Sequence, residues 1–178
     1  MKGLVVYKGR YGATMQYGIW LGAALNYPVV KSDFVRPEQI TQADCILIGT
    51  SVYIGQLQVK KWLQANAPFL EGKKLIFFIV AGGVPDNLAE VKTYVEKCVP
   101  ASLQPGAQCF YLPGRLNFGL LSLKDKILLR MGAWLAARKG KKITVTDYNH
   151  VAREHIAPVI EAALLMATTS LTSQNAAI

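Results

Sequence analysis

The sequence predicts an α/β fold: a three-layer α/β/α sandwich built on an open, parallel sheet of about five strands. Three observations predict it. Short apolar runs alternate along the chain with segments whose apolar residues recur every three to five positions, the periods of strand and helix in turn. Residues 73–81 (KKLIFFIVA) are apolar from Leu75 onward, as in a strand covered on both faces. Neighbouring parallel strands need a crossover, and the segments between the apolar runs are long enough to supply it as helices.

Residues 3–7 form a compact apolar run, a first strand, and residues 14–26 carry Met15, Ile19, Trp20, Ala23 and Ala24 at helical spacing. Residues 28–31 give a short second strand, and residues 37–43 a helical turn opened by Pro37. A third strand spans 44–50 (DCILIGT), followed by a helix over 59–69 with Val59, Trp62, Leu63 and Leu70 on one side. The fourth strand is 73–81, the next helix 87–99, the fifth strand 107–112, and a last helix runs from 147 to about 167. Between the fifth strand and that helix lies an inserted segment, residues 113–142, with a helix expected over 120–138. Residues 1–167 thus form a single domain, and the polar residues 168–178 are expected to fray as a tail.

With 178 residues, 52% of them hydrophobic and 17% charged, the chain is long and apolar enough to bury a core, which excludes intrinsic disorder. Its net charge of +9 is unevenly spread. Residues 115–142 hold eight Lys and Arg against the single acid Asp125, a net +7 that leaves +2 for everything else. A local patch of this kind suits an anionic lipid surface or an acidic partner, or is a solvated helix face; it argues against nucleic acid, which would draw a wider basic face. No apolar stretch approaches the about 18 residues of a membrane span, and the N-terminus lacks a signal-peptide core. Cys45, Cys98 and Cys109, widely spaced and odd in number, are expected to be buried free thiols in a reducing cytoplasm. His150 and His155, five apart in the expected last helix, face different sides, and no metal site is predicted.

Ligands of such sheets bind beyond the carboxyl ends of the strands, in the loops 8–13, 51–56, 82–86 and 113–119. The first loop and the residue after it, Lys8-Gly9-Arg10-Tyr11-Gly12-Ala13-Thr14, lead a strand into a helix whose first N–H groups would favour an anion. Its two glycines let the backbone curl, Thr14 offers a hydroxyl, and Lys8 and Arg10 offer charge. Neither GxGxxG nor GxxxxGK[ST] is present, so a monophosphate fits better than a dinucleotide or triphosphate; a plain turn is the competing reading. Thr50, Ser51, Val52, Tyr53 and Gly55 follow the third strand, and Gly82 and Gly83 the fourth. Together they suit a flat polar ring, with Tyr53 stacking on it and the glycine peptides meeting its heteroatoms; a lone loop tyrosine is also ordinary surface.

The order strand, KGRYGAT, helix, then IGTSVYIG, then VAGG resembles the flavodoxin-like family, and most closely its branch of menaquinone-dependent protoporphyrinogen dehydrogenases, to which TDY at 146–148 is also similar. The resemblance spans roughly residues 1 to 165. It implies a flavodoxin-like sandwich holding FMN without a covalent bond, with phosphate at residues 9–14, ring and ribityl chain at 51–53 and the ring edge at Gly82 and Gly83. Many flavodoxins place hydroxyl residues where this chain has Lys8 and Gly9, so N–H groups and cations would supply that part of the phosphate shell.

At 100° per residue Leu120, Leu121, Leu123, Ile127, Leu128, Met131, Trp134 and Leu135 share one arc of the inserted helix, with Lys124 intruding, Arg138 at the helix's end, and Lys126 and Arg130 outside the arc. That face either packs on the sheet, rests on an anionic membrane through residues 120–142, or lines a site for a hydrophobic substrate such as a quinone or porphyrin. The expected function is that of a flavin oxidoreductase passing electrons from a reduced substrate, protoporphyrinogen-like by resemblance, to a quinone or protein acceptor. A soluble electron carrier and a cofactor-free interaction module remain alternatives. The expected location is the cytoplasm, or the inner face of the membrane that bounds it. No protein nucleophile or paired carboxylate motif stands out, because a flavin would carry the chemistry itself.

Overall fold

The computed structural model describes residues 1–82, 88–138, 140 and 145–175. Their elements, in chain order, are β1 (Gly3–Lys8), α1 (Ala13–Leu25), β2 (Val29–Lys31), α2 (Pro37–Gln42), β3 (Cys45–Tyr53), β4 (Gln56–Leu57), α3 (Lys60–Leu70), β5 (Lys74–Ala81), α4 (Leu88–Cys98), β6 (Gln108–Pro113), β7 (Arg115–Leu116), α5 (Leu123–Arg138), β8 (Tyr148–Asn149) and α6 (Ala157–Asn175). Five parallel strands line up as β2-β1-β3-β5-β6, bearing out the α/β sandwich. The order reverses between β1 and β3, which leaves a crevice at their carboxyl ends.

The alternation of side chains along the central strands builds two cores. Leu4, Val6, Ile46, Ile48, Leu75, Phe77 and Ile79 face one layer with Leu63, Leu70 and Cys98. Val5, Leu47, Ile76, Phe78 and Val80 face the other with Tyr17 and Leu21 of α1 and Val159, Ala162 and Ala163 of α6. Both faces of β5 are therefore covered, as its unbroken apolar run requires. Local chemistry sets the ends: Pro37 opens α2, whose Gln39 side chain accepts the Arg36 N–H at 3.0 Å. Asn26, at φ 56°, closes α1.

Three expectations are corrected. The last helix begins at Ala157, not at residue 147: Tyr148 and Asn149 instead form an antiparallel pair with Leu116 and Arg115, and a 3-10 turn, Arg153–Ile156, precedes α6. His150 thus follows a strand and His155 lies in the turn, where its Nδ1 is 3.2 Å from the Tyr17 hydroxyl. The helix then continues to Asn175, through most of the segment expected to fray. Cys45 and Cys98 are buried, but Cys109, on edge strand β6, is exposed. Burial pushes the Cys45 thiol up to about 11, leaving it unreactive near neutrality.

Candidate functional site

At the carboxyl end of β1 the chain folds into a close loop. A Cβ on Gly9 would lie 2.6 Å from Thr14 Oγ1 and 2.8 Å from Thr14 Cβ, with Ser51 Oγ 3.6 Å away. Only glycine lets the backbone pass so close to the Thr14 and Ser51 hydroxyls. Gly12, at φ 82°, turns the chain into α1, and Ala13 anchors that first turn in the core. No side chain caps α1 and no acid stands in its first turn, so its N-terminal N–H groups keep their affinity for an anion. Arg115 covers the turn: its Nε and Nη2 each donate to the Tyr11 carbonyl at 3.4 Å, and Nη2 sits 2.6 Å from where a Gly12 Cβ would be. Glycine backbone, hydroxyls, helix start and guanidinium converge as a phosphate cradle should.

Lys8 points its charge elsewhere. Its ammonium pairs with Asp33 at 2.5 Å, and Lys31 approaches the same carboxylate at 3.3 Å. The hydrogen bond from Lys8, with help from Lys31, holds the Asp33 carboxyl below its ordinary range. The register of β1 on β2, Tyr7 beside Lys31, brings these groups together.

At the end of β3 the two hydroxyls divide their roles. Thr50 is fully buried and its Oγ1 accepts the Val59 N–H at 3.2 Å, tying the loop to the start of α3, whereas Ser51 faces the Gly9 turn. Val52 packs against the core. Tyr53, Ile54, Gly55 and Gln56 make a two-residue hairpin between β3 and β4, both central residues having positive φ, 49° and 68°. Ile54 is an unusual occupant, since a β-branched residue at positive φ is strained.

Tyr53 is engaged by a residue from the inserted segment. Its hydroxyl donates to Asp125 Oδ1 at 2.5 Å, the Tyr11 hydroxyl donates to Asp125 Oδ2, and Arg10 Nη2 lies 3.4 Å from that same oxygen. The Arg10 guanidinium also lies over the Tyr53 ring, 4.7 Å from its centroid. Asp125 is only 5% exposed. Its burial alone would raise its pKa, but hydrogen bonds from Tyr11, Tyr53 and Ser122, with the charge of Arg10, outweigh that and hold it below the ordinary carboxylate range. The bond to Asp125 raises the Tyr53 phenol above its usual value against the pull of Arg10.

Gly82 follows β5 directly, and the Tyr148 hydroxyl fills the space where a Cβ on it would lie. Gly83 and the rest of the 82–86 loop lie outside the described residues. A cleft of about 560 Å³ beside the phosphate loop is lined by Tyr11, Arg115, Leu116, Asn117, Leu120 and Tyr148, among others. A larger hollow of about 640 Å³ lies at the opposite end of the sheet, around Lys2, Tyr27 and Arg36, away from the carboxyl ends where such sheets bind ligands.

Residues 4–143 match the flavodoxin domain family. The chain belongs to the flavodoxin domain family. Among curated proteins no sequence matches. Among solved structures, a flavodoxin from the domain Archaea is 18% identical, with 79% of this chain and 100% of that one covered at a TM-score of 0.46. A flavodoxin, the WrbA-like protein from Agrobacterium tumefaciens, is 17% identical over 70% of this chain and 87% of that one, at a TM-score of 0.52. Two-electron reduced Megasphaera elsdenii flavodoxin is 21% identical over 62% and 83%, at 0.46. At these identities the likeness speaks for the fold, and the WrbA-like protein carries it. As a member of this family the chain is an FMN-binding flavoprotein, of the oxidoreductase or electron-carrier kind.

The phosphate half of the site fits that cofactor: Gly9, Gly12, Thr14 and Ser51 form a cradle that a Cβ would fill. At the ring half, a planar ring seated on the face of Tyr53 that Arg10 covers would require Arg10 to leave it. Bound FMN would supply the redox chemistry; Gly9 to Thr14 are the residues that would hold its phosphate, and Ser51, Tyr53 and Gly82 those that would orient its ring. Arg115, Asp125 and Tyr148 join the site from the 113–149 region, and none was singled out as a ligand residue by the sequence. Only the isolation of Asp125 in a basic block and the TDY similarity pointed toward two of them.

Proposed function

We propose that this flavoprotein is an FMN-dependent oxidoreductase that passes electrons from a reduced, protoporphyrinogen-like substrate to a quinone or protein acceptor. The observation that carries the flavin part is the cradle at Gly9 and Gly12, set at the switch point of the sheet with α1 uncapped behind it. The substrate class rests on the resemblance of the three loops and of residues 146–148 to the protoporphyrinogen dehydrogenase branch. Tyr148 of that stretch stands directly over Gly82, at the expected ring edge, which supports a role for it there. A net charge of +9 disfavours a shuttle that docks to basic partners and so favours an enzyme over a general carrier.

Purified protein should carry a flavin spectrum near one FMN per chain, or acquire it on titration. Gly12→Val, which forces a β-branched residue to φ 82° and into Arg115, should weaken FMN binding at least about tenfold; unchanged affinity would remove the phosphate assignment. Anaerobic reduction of the flavin by protoporphyrinogen, followed by reoxidation with a menaquinone analogue, tests the substrate and acceptor. Reoxidation only by a protein acceptor, without reaction with the porphyrinogen, would turn the reading to the carrier. A colourless protein that refuses added FMN would overturn the reading.

A further inference from the structure

Helix α5 is built inside out. Its one acid, Asp125, turns inward to Tyr11 and Tyr53, while Leu123 (77% exposed), Ile127 (59%), Trp134 (54%) and Met131 (50%) face outward. At 100° per residue these four residues and Leu135 span about 120°, and Asp125 lies outside that arc. The same outward side carries exposed Lys124, Arg130 and Arg138. The Arg138 guanidinium lies 3.9 Å from the Trp134 ring centroid, and Arg130 stands 5.4 Å from that of Phe118.

We propose that the outward face of α5 docks on an anionic lipid bilayer. An apolar stripe of three turns is costly to leave in water, so something covers it in use. A second copy of this chain is a poor cover, because pairing the two faces would bring Lys124, Arg130 and Arg138 of one copy against those of the other with no acid between them. An anionic bilayer satisfies both halves of the surface at once: Leu123, Ile127, Met131 and Trp134 enter the boundary of the acyl region while the three cations reach headgroup phosphates on their long stems. Among the described residues no helix is long and apolar enough to cross a membrane, so the contact is peripheral. Docking by this face would hold the carboxyl edge of the sheet near the lipid, since Asp125 of the same helix touches the loops after β1 and β3.

Flotation of the full chain with phosphatidylcholine vesicles, with and without phosphatidylglycerol, tests the proposal. Binding is expected to the anionic vesicles, with partitioning on the order of a hundredfold stronger than to the neutral ones from three surface cations, and to fall as salt is raised. The double variant Ile127→Glu/Met131→Glu and, separately, Lys124→Glu/Arg130→Glu should each abolish it with the circular dichroism spectrum unchanged, because the replaced side chains are exposed. Equal failure to bind both vesicle types, or anionic binding that survives Ile127→Glu/Met131→Glu, would overturn it. So would a dimer in solution that the same double variant converts to monomer.

Discussion

Replacing Asp125 with asparagine or alanine should release α5 from the sheet edge while leaving the sheet intact. The carboxylate receives the Tyr11 and Tyr53 hydroxyls and sits 3.4 Å from Arg10. Losing the charge-assisted bond from Tyr11 costs about 1.5–3 kcal/mol. The Arg10 side chain is 42% exposed, so its pairing adds at most about 1 kcal/mol after screening. At 1.4 kcal/mol per factor of ten, the amides of α5 should exchange roughly 10–1000 times faster in native-state hydrogen exchange. Peptides from β3 and β5, whose buried residues form the two cores, should not change. The pH dependence follows from the two shifted groups. The folded-state pKa of Asp125 is depressed, so its contribution is present above the unfolded carboxylate value of about 4 and is lost as pH falls through the depressed one. That of Tyr53 is raised, so its contribution is present below about pH 10 and is lost as pH rises through the raised value. The protection of α5, corrected for intrinsic rates, should therefore plateau between those limits in the parent chain, and its acid limb should vanish in Asp125→Asn. Exchange in α5 that ignores the substitution, or rises equally in β3 and β5, would refute the latch.

Two further outcomes follow from local geometry. Ile54→Asn should stabilise the protein by about 1 kcal/mol, because asparagine tolerates φ 49° better than a β-branched residue, raising the melting temperature by about 2–4 °C; an unchanged or lower value would mean the hairpin relaxes the strain. Thr50→Val should leave the buried Val59 N–H without its acceptor and cost about 1–3 kcal/mol in a denaturant titration, with Thr50→Ser close to the parent; a loss in Thr50→Ser with none in Thr50→Val, which keeps the methyl, would make the packing of the Thr50 methyl the cause.

The elements that sequence made legible are those decided by their own residues. β3 and β5 read as strands because each places apolar groups on both faces, and the 8–14 loop read as a tight glycine turn into a helix because Gly9 and Gly12 have a conformational reason to be there. What escaped depends on residues far apart in the chain. β8 exists because Arg115 and Leu116, some thirty positions upstream, offer a partner, and nothing within residues 147–156 announces that pairing. Lys8 looked free for a phosphate because Asp33 reaches it only through the β1–β2 register. Periodicity located the apolar arc of α5, but it could not say whether that arc faces the sheet. The orientation is set by Asp125, whose partners Tyr11 and Tyr53 sit 114 and 72 positions away.

Because Asp125 serves both the flavin loops and the docking helix, ligands at the two places must influence each other. Seating a ring on the face of Tyr53 that Arg10 covers would draw Arg10 off it, and Arg10 is also the counter-charge of Asp125. The latch then loses an exposed ion pair of at most about 1 kcal/mol, so α5 is freed by up to roughly fivefold. If lipid takes up the freed helix more readily, FMN strengthens vesicle binding by some factor within that bound, and linkage requires vesicles to strengthen FMN binding by the same factor. Titrating FMN with and without anionic vesicles, and vesicles with and without FMN, measures the two factors independently. Asp125→Asn should bring both to unity, since the charge that Arg10 would abandon is gone. Factors of unity in the parent chain would show that Arg10 keeps Asp125 when FMN binds, and that the ring settles without displacing it.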